Sequence, residues 1–312
     1  MTVITSAYDE LAPAPTLDEM MKDPTLIPSR LKQQIENLDH EGLFFRQGPP
    51  NQGVVAFQEA QAEDYGDDNI EEIAEFGEIP VDAPDIDEEA RRVAYSIKTG
   101  RGFRVSWEQR NENRIDAVNR SMQDLVRKIR LHSVNTIRTA FTRANVPELQ
   151  ADTPWAEGGN VIQDIIDAIN TVQGATDDTD PNLRYDYDPD TILMHPLTMT
   201  QMLLSEQIQK FYIGNMASEN PVFKGLTTTQ IAGQLQVAKS KLILPGEVYV
   251  FERGTTGFIS EQLPLTVTDL LPEAGGDPTI GGRTMSWRSD IVRKRAIAID
   301  NPKAIVKLTG VA

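Results

Sequence analysis

The chain has 312 residues, no cysteine and a formal net charge of -17, with 47 acidic residues against 30 Lys and Arg. This balance argues against a protein that binds DNA or anionic lipid over its whole surface, because phosphate binding needs a positive field. The absence of cysteine excludes disulfides, thiol catalysis and zinc-finger or iron–sulfur ligation. No run approaches the roughly 20 apolar residues of a membrane span, so the composition predicts a soluble globular protein.

The first fifty residues mix prolines with short helical patterns. LDEMMKD and PSRLKQQIENLDHEGLFFRQ have helix-like spacing, and Leu31, Ile35 and Leu38 fall on one side of the second segment. This alternation predicts an arm that lies across something else, because a compact domain rarely opens in this way.

The next stretch is acidic, since residues 47–90 contain no Lys or Arg. Its edges have strand character: GVVAFQEAQAE begins as a strand, and Val93, Tyr95 and Ile97 alternate with small or polar residues in ARRVAYSIKTG. We predict a long two-stranded ribbon with an acidic tip. Such a ribbon is only marginally stable alone in water, so we expect it to pack against another molecule. A solvated acidic loop is the alternative interpretation.

A long amphipathic helix is predicted over residues 107–144, where Gly and Pro are absent. Apolar residues recur every three or four positions, with one longer interval, and arginines occupy the other faces of the helix. Because no strict heptad holds, the pattern favours the backbone of an extended domain over a coiled-coil arm. The stripe consists of Ile115, Val118, Met122, Leu125, Ile129, Val134, Ile137 and Phe141.

The second half mixes helices and strands. VIQDIIDAINTVQG predicts a helix that ends at Gly174, and a strand at Ile192–Met194 leads through His195 into a helix with Pro196 in its first turn. Short strands, a glycine-rich loop and a final strand follow. This order of elements predicts an α+β fold.

No catalytic, metal or cofactor site is supported by the residue patterns. His132 has no Glu or His partner at helical spacing and His195 precedes a proline, so both are interpreted as structural residues. The glycine-rich segments lack the Gly-Lys-Ser/Thr ending of a P-loop. DDTDPN lacks the glycine and the closing Glu of a calcium loop.

The order of the parts resembles the major capsid proteins of tailed bacteriophages with the Hong Kong 97 fold. Four motifs carry the resemblance from about Gly53 to the C-terminus. They are YSIKTGRGFRVSWEQRNEN, DIIDAINTV followed by YDYDPDTILMHPLTMTQML, LPGEVYVFERGTTGFI, and MSWRSDIVRKRAIAIDNPKAIVKLTG.

The resemblance implies a Hong Kong 97-like organisation into five segments. The predicted segments are an N-terminal arm at 1–50, an extended loop at 51–105, a peripheral domain with its spine helix at 106–185, an axial domain at 186–282, and a return strand at 283–312.

The resemblance also implies a function. The chain would be a non-catalytic subunit of an icosahedral phage head, assembling into hexamers and pentamers that enclose double-stranded DNA without binding it specifically. Only about fifty residues precede the extended loop, which implies a separate scaffolding protein. A portal and a decoration protein are further implied partners, no membrane is involved, and assembly would occur in the host cytoplasm before the chain becomes part of the virion.

Contacts between copies are expected where the acidic ribbon of one copy meets basic residues of another. The expected residues are Glu71, Glu72, Glu75, Glu78, Arg92, Arg120, Arg127, Arg288, Arg293 and Arg295.

The basic stretch near the C-terminus raises a DNA-binding alternative. Strand spacing puts Arg293 and Arg295 on one face with Ile297, and Lys294 on the other, so the cations do not form a single patch. A strand that packs against the spine helix is the preferred interpretation. Its arginines are then expected to meet the acidic ribbon of a neighbour.

Two further alternatives remain open on the sequence. An encapsulin-like nanocompartment shell would use the same fold to enclose protein cargo. An acidic hydrolase with a working Asp/Glu pair would be a stable monomer or small oligomer.

Overall fold

The computed structural model describes most of the chain. The described residues are 16–36, 41–60, 62–64, 73, 77, 79, 91–177, 181–205, 208, 230–231, 235–275, 277 and 279–312.

Seven α-helices occur in the described part of the chain. They are α1 (Leu17–Lys22), α2 (Leu26–Glu36), α3 (Glu41–Phe44), α4 (Trp107–Asn111), α5 (Ile115–Arg143), α6 (Val161–Gln173) and α7 (Pro196–Leu204). Two short 3₁₀ helices lie at Trp155–Glu157 and Pro302–Ala304. The predicted end of α6 at Gly174 and the predicted Pro196 start of α7 are both confirmed.

The predicted long helix is interrupted. It consists of α4 and α5, and between them Asn113 adopts a left-handed φ of 52°. Asparagine tolerates this conformation better than most residues, so the chain turns here without Gly or Pro. Helix α5, the spine helix, nevertheless buries most of the predicted apolar stripe, including Val118, Met122 and Phe141.

Fifteen β-strands occur in the described residues. They are β1 (Phe45–Gln47), β2 (Val54–Gln58), β3 (Glu63–Asp64), β4 (Arg91–Tyr95), β5 (Ile97–Ser106), β6 (Glu148–Gln150), β7 (Leu183–Arg184), β8 (Thr191–Met194), β9 (Gln230–Ile231), β10 (Leu235–Lys239), β11 (Val248–Phe251), β12 (Gly257–Val267), β13 (Leu271–Pro272), β14 (Ser286–Ala298) and β15 (Ile305–Thr309).

The first sheet has the order β1-β12-β14-β13, and β5 also pairs with β14. The ladder between β14 and β5 is antiparallel and continuous from Ser286↔Ser106 to Arg295↔Ile97. Strand β12 shifts register against β14 between Glu261 and Thr266, as at β-bulges.

The second sheet has the order β6-β15-β11-β8-β10-β9. Strands β8 and β11 are buried along their whole length, as expected for central strands covered on both faces. This sheet joins strands from three of the predicted segments. The predicted domain boundaries stay a prediction.

Three groups of buried apolar side chains form the core. One lies between the second sheet and helices α6 and α7. Another lies between the spine helix, the first sheet and the N-terminal helices. The third joins the end of the spine helix to both sheets, and Phe44, Phe141 and Phe251 meet there.

The described N-terminal segment belongs to the core of its own chain. Leu17, Met20 and Leu31 are buried against residues of the spine helix and the first sheet, and β1 pairs in parallel with β12. For residues 16–36 and 41–47, the surface on which the predicted arm lies is therefore that of its own subunit. An amphipathic segment buries its apolar side wherever a complementary surface is available, and here the chain itself supplies that surface.

Candidate assembly surface

The predicted ribbon is present as a short antiparallel ladder. Strands β2 and β4 pair over five residues each, from Val54↔Tyr95 to Gln58↔Arg91. Beyond this ladder, the next strand of the chain, β3, pairs with β7 and not with β4. The two-stranded arrangement is confirmed, and its described paired part is shorter than expected.

The two faces of the ribbon differ in their surroundings. Phe57 on one face packs edge-on against Phe258, with ring centroids 6.0 Å apart. On the other face, and continuing into β5, apolar side chains point to solvent. Val54 is 54% exposed, Val93 53%, Tyr95 69% and Ile97 60%. More than half of each side chain therefore remains available for a contact that this chain does not make.

Four of the predicted contact residues are acidic and lie outside the described residues. They are Glu71, Glu72, Glu75 and Glu78. The predicted contact of the acidic ribbon with a neighbour stays a prediction.

Of the predicted arginines, the three on the ribbon and the spine helix are exposed. Arg92 lies on β4 and pairs with Glu59 across the ribbon, with 3.1 Å between Nε and Oε1. Arg120 and Arg127 lie on the outer side of the spine helix. These positions are compatible with the predicted contacts between copies.

Arg288 belongs to an exposed charge cluster. Its Nε lies 2.8 Å from Asp290 Oδ1, and Glu273 lies between Arg288 and Arg104. Hydrogen bonding and charge from Asp290 raise the pKa of Arg288. The cluster ties β13 and β5 to β14 at the surface.

Arg293 and Arg295 are not surface residues. Both bind the carboxylate of Glu41, which is only 3% exposed, and the Arg293 Nη1 to Glu41 Oε2 distance is 2.8 Å. Ser133 of the spine helix donates to the same carboxylate, and Arg293 also binds Glu261. The expectation that these two arginines meet a neighbour is replaced by an ion-pair cluster within the subunit, because Glu41 brings a buried carboxylate between them.

The charges of this cluster compensate each other. Burial alone would raise the pKa of Glu41, but Arg295 and Arg293 outweigh burial and lower the pKa to about 2. Burial likewise opposes the charge of Arg293, yet its two carboxylate partners raise its pKa. The cluster connects α3, the spine helix, β12 and β14.

No pattern in the sequence pointed to Glu41. Its partners are 252 and 254 residues further along the chain. The alternation of β14 did place Arg293 and Arg295 on the face with Ile297, which packs beside the core group that includes Ile137 of the spine helix. That part of the sequence interpretation is confirmed.

The cluster lies in a cavity of about 780 Å³ between the spine helix and the first sheet. Cationic side chains from β5 and the spine helix line it, including Lys98, Arg101 and Lys128. Apolar residues such as Ile129 and Leu265 contribute the rest of the lining.

Other features of the described residues do not form a chemical site. His195 caps α7, accepting a hydrogen bond from Leu197 N at 3.0 Å through its Nδ1, which confirms its structural role. No group of His, Asp or Glu residues in the described ranges could hold a metal ion. Among the described helices, none combines the length and the apolar content needed to cross a bilayer.

Comparison with known proteins identifies the family. A family model described as phage capsid protein matches residues 89–308, which is more than two thirds of the chain. No curated protein matches by sequence.

Solved structures with similar folds come from phages and a virus-like particle. The capsid of cyanophage P-SCSP1u aligns with a TM-score of 0.58 at 9% identity, covering 87% of this chain and 88% of that one. A chain of Gordonia phage Cozz aligns at 0.54 and 12%, covering 85% and 84%. The virus-like particle from Pyrococcus furiosus aligns at 0.51 and 14%, covering 90% and 96%.

The predicted α+β, Hong Kong 97-like fold is thus confirmed. The matched region begins just before β4 and ends within β15, so it contains both sheets' central strands and the whole spine helix. The chain belongs to the phage capsid protein family, whose members are structural proteins.

Proposed function

We propose that this chain is the shell-forming subunit of a bacteriophage head. Copies assemble into hexamers and pentamers, which close an icosahedral shell around double-stranded DNA. Assembly takes place in the host cytoplasm with a separate scaffolding protein and a portal, and a decoration protein is a further candidate partner.

The observation that supports this most strongly is the exposed apolar face of the ribbon. Val54, Val93, Tyr95 and Ile97 are each more than half exposed although they are adjacent. A contiguous apolar surface of this kind marks a contact with another protein. A two-stranded ribbon is also marginally stable alone, so a neighbouring copy would stabilise it.

Charge supports the same proposal. The acidic stretch 47–90 needs a basic surface opposite, and the exposed Arg92, Arg120 and Arg127 offer candidates on another copy. Single contacts of this sort are weak, but closed symmetric assembly multiplies them. A net charge of -17 also keeps the wall from binding packaged DNA along its length.

Electron microscopy and sedimentation of the purified chain at high concentration, with and without a scaffolding partner, test the proposal. We expect closed shells or capsomers. A protein that stays a compact monomer under all these conditions would contradict the proposal. Small shells loaded with protein cargo would instead support a nanocompartment.

A charge-reversal variant tests the ribbon contact. Replacing Glu71, Glu72 and Glu75 by Lys should leave the subunit folded, as judged by circular dichroism, while assembly measured by sedimentation is impaired. The reason is that these carboxylates are proposed to face neighbours and not a core. Loss of the native circular dichroism spectrum would count against this role.

A further inference from the structure

The cavity between the spine helix and the first sheet is strongly positive. Seven Lys and Arg residues line it against two carboxylates, Glu41 and Glu261, which leaves its described lining with a formal net charge of +5. The whole chain, in contrast, has a net charge of -17. A cleft lined by charges of one sign concentrates the electric field inside it and attracts counter-ions. The cavity is therefore a local site for anions in an otherwise acidic protein.

The two carboxylates of the lining are already bound within the subunit. Glu41 pairs with Arg293 and Arg295, and Glu261 pairs with Arg293. No carboxylate of the described lining is therefore left to neutralise the remaining cations.

Three of the remaining cations form no ion pair with a described residue. They are Arg101 of β5 and Lys128 and Arg130 of the spine helix. Arg130 donates to the carbonyl oxygen of Gln34 at 3.0 Å, and its Nε is buried without an acceptor. Burial lowers the pKa of Arg130, and no neighbouring carboxylate opposes that shift. An anion in the cavity would supply the charge that these side chains lack.

The backbone directs these cations into one space from two sides. In the ladder between β5 and β14, Arg101 lies opposite Ile291 and on the same face as Phe103, and both apolar residues are buried against the spine helix. Lys128 comes from the facing side, one helical turn before His132, which also lines the cavity. A ligand between the strand and the helix would therefore meet positive charge on both sides.

The floor of the cavity is apolar. Ile35, Ile129, Leu265 and Val267 contribute to it, and each belongs to or packs against the core group of the spine helix and the first sheet. The cavity volume of about 780 Å³ is in the range of sites that bind small molecules. Cationic walls above an apolar floor suit a ligand that carries several negative charges and has room for an uncharged part.

We propose that this cavity binds a small anion with several phosphate groups, of the class of inorganic polyphosphates and nucleoside polyphosphates. Arg101 and Lys128 bind phosphate oxygens from opposite sides, and Arg130 adds its charge. Guanidinium groups match phosphate geometry and form charge-assisted hydrogen bonds with it, which makes phosphate the anion that this set of side chains favours. The site belongs to the single subunit, so the proposal does not rest on the proposed function.

Isothermal titration calorimetry with sodium tripolyphosphate on the unassembled full-length protein tests the site. We expect saturable binding that weakens with added salt. The double variant Arg101→Glu, Lys128→Glu should bind at least about tenfold more weakly, because two attractive contacts become repulsive. Arg143→Glu is the matched control, since Arg143 is an exposed cation of the same helix outside the cavity, and it should bind like the wild type.

Thermal unfolding gives a second measurement on the same variants. Tripolyphosphate at about 100 times its Kd should raise the melting temperature of the wild type by about 5 °C, because only the folded chain has the site. The double variant, shown to be folded by circular dichroism, should show no such rise. Absence of saturable binding by the wild type, or equal binding by the wild type and the folded double variant, would overturn the proposal.

Competition separates a site for small polyphosphates from general attraction. Sulfate at equal ionic strength should compete poorly because it carries a single anionic group. A DNA duplex at equal phosphate concentration should compete poorly because it is too wide to enter the cavity. Displacement of tripolyphosphate by either one as effectively as by ATP would contradict the proposal. Tighter binding of ATP than of tripolyphosphate would assign the site to nucleotides, and equal or weaker binding would assign it to inorganic polyphosphates.

Chemical labelling tests where the anion binds. Because the chain has no cysteine, the variant Thr99→Cys places a single thiol in the lining of the cavity. Tripolyphosphate should slow the reaction of this thiol with a maleimide, since the bound anion covers it and disfavours the thiolate. The reaction of Thr142→Cys, an exposed position of the spine helix outside this cavity, should keep its rate. Unchanged labelling of Thr99→Cys at saturating tripolyphosphate would place the anion elsewhere and overturn the proposal.

Discussion

Two groups of cations line the cavity beside the spine helix, and they differ in whether they form ion pairs with carboxylates of the same chain. Arg293 and Arg295 are bound by Glu41, which is buried, whereas Lys98, Arg101 and Lys128 make no ion pair with a carboxylate of the described residues. The first group is neutralised when the chain folds. The second group keeps its positive charge uncompensated by any ion pair within the described part of the subunit.

The comparison shows that local charge density does not reveal the role of a basic stretch. Strand β14 carries more cations per residue than β5 or the spine helix, yet two of its arginines form ion pairs with Glu41 inside the subunit. Their partner, Glu41, is 252 and 254 residues away in sequence and is buried. Buried ion pairs contribute little net stability because desolvation opposes them, but breaking one by removing a partner is costly.

The largest effect on folding is expected from Arg295→Met. The substitution leaves Glu41 buried with reduced compensation, and we expect a loss of about 3–5 kcal/mol in the free energy of unfolding. Urea denaturation followed by circular dichroism measures it. If the variant is too unstable to purify, the melting temperature in cell lysate gives the direction.

A double variant shows whether the loss comes from the uncompensated charge. Glu41→Leu combined with Arg295→Met removes both charges, and Arg293 keeps Glu261 as its partner. Most of the lost stability should return. A double variant as unstable as the single one would show that packing, and not the ion pair, holds α3 in place.

A smaller effect is expected from the titration of Glu41. Because its pKa in the folded chain is lowered to about 2, the ionised carboxylate stabilises the fold above its ordinary pKa near 4.5. That contribution is lost as the pH falls from about 4.5 to about 2, and its size is on the order of 3 kcal/mol. The difference in unfolding free energy between the wild type and Glu41→Gln should therefore be constant above pH 5 and shrink towards pH 2. A difference that does not depend on pH would contradict the role of the ionised carboxylate.

Periodic features were the part of the fold that could be predicted from sequence. The pairing of β2 with β4, the stripe of the spine helix and the alternation of β14 all follow from spacings of two or three to four residues. These patterns depend on neighbours in the chain. The resemblance to phage capsid proteins was carried instead by four sequence motifs in order, and the family match confirms it.

Features that depend on distant partners were missed. The N-terminal helices have the same amphipathic spacing whether Leu17 and Leu31 pack on their own spine helix or on another copy, so the sequence could not decide. The turn at Asn113 replaces a predicted continuous helix without any Gly or Pro. Glu41 has no local signal because its arginine partners lie 252 and 254 residues further along the chain.

The smallest effect on folding is expected from Arg101→Glu and Lys128→Glu, and it tests the other half of the comparison. Since neither cation has a carboxylate partner in the described chain, the free energy of unfolding should change by no more than about 0.5 kcal/mol for each substitution. Each substitution also replaces a cation by an anion in a cavity lined by several other cations, which removes repulsion, so the expected direction is neutral or stabilising. Urea denaturation beside the Arg143→Glu control measures the change. A loss as large as that of Arg295→Met would mean that these cations, like the arginines of β14, are already used in folding and are not left for a bound anion.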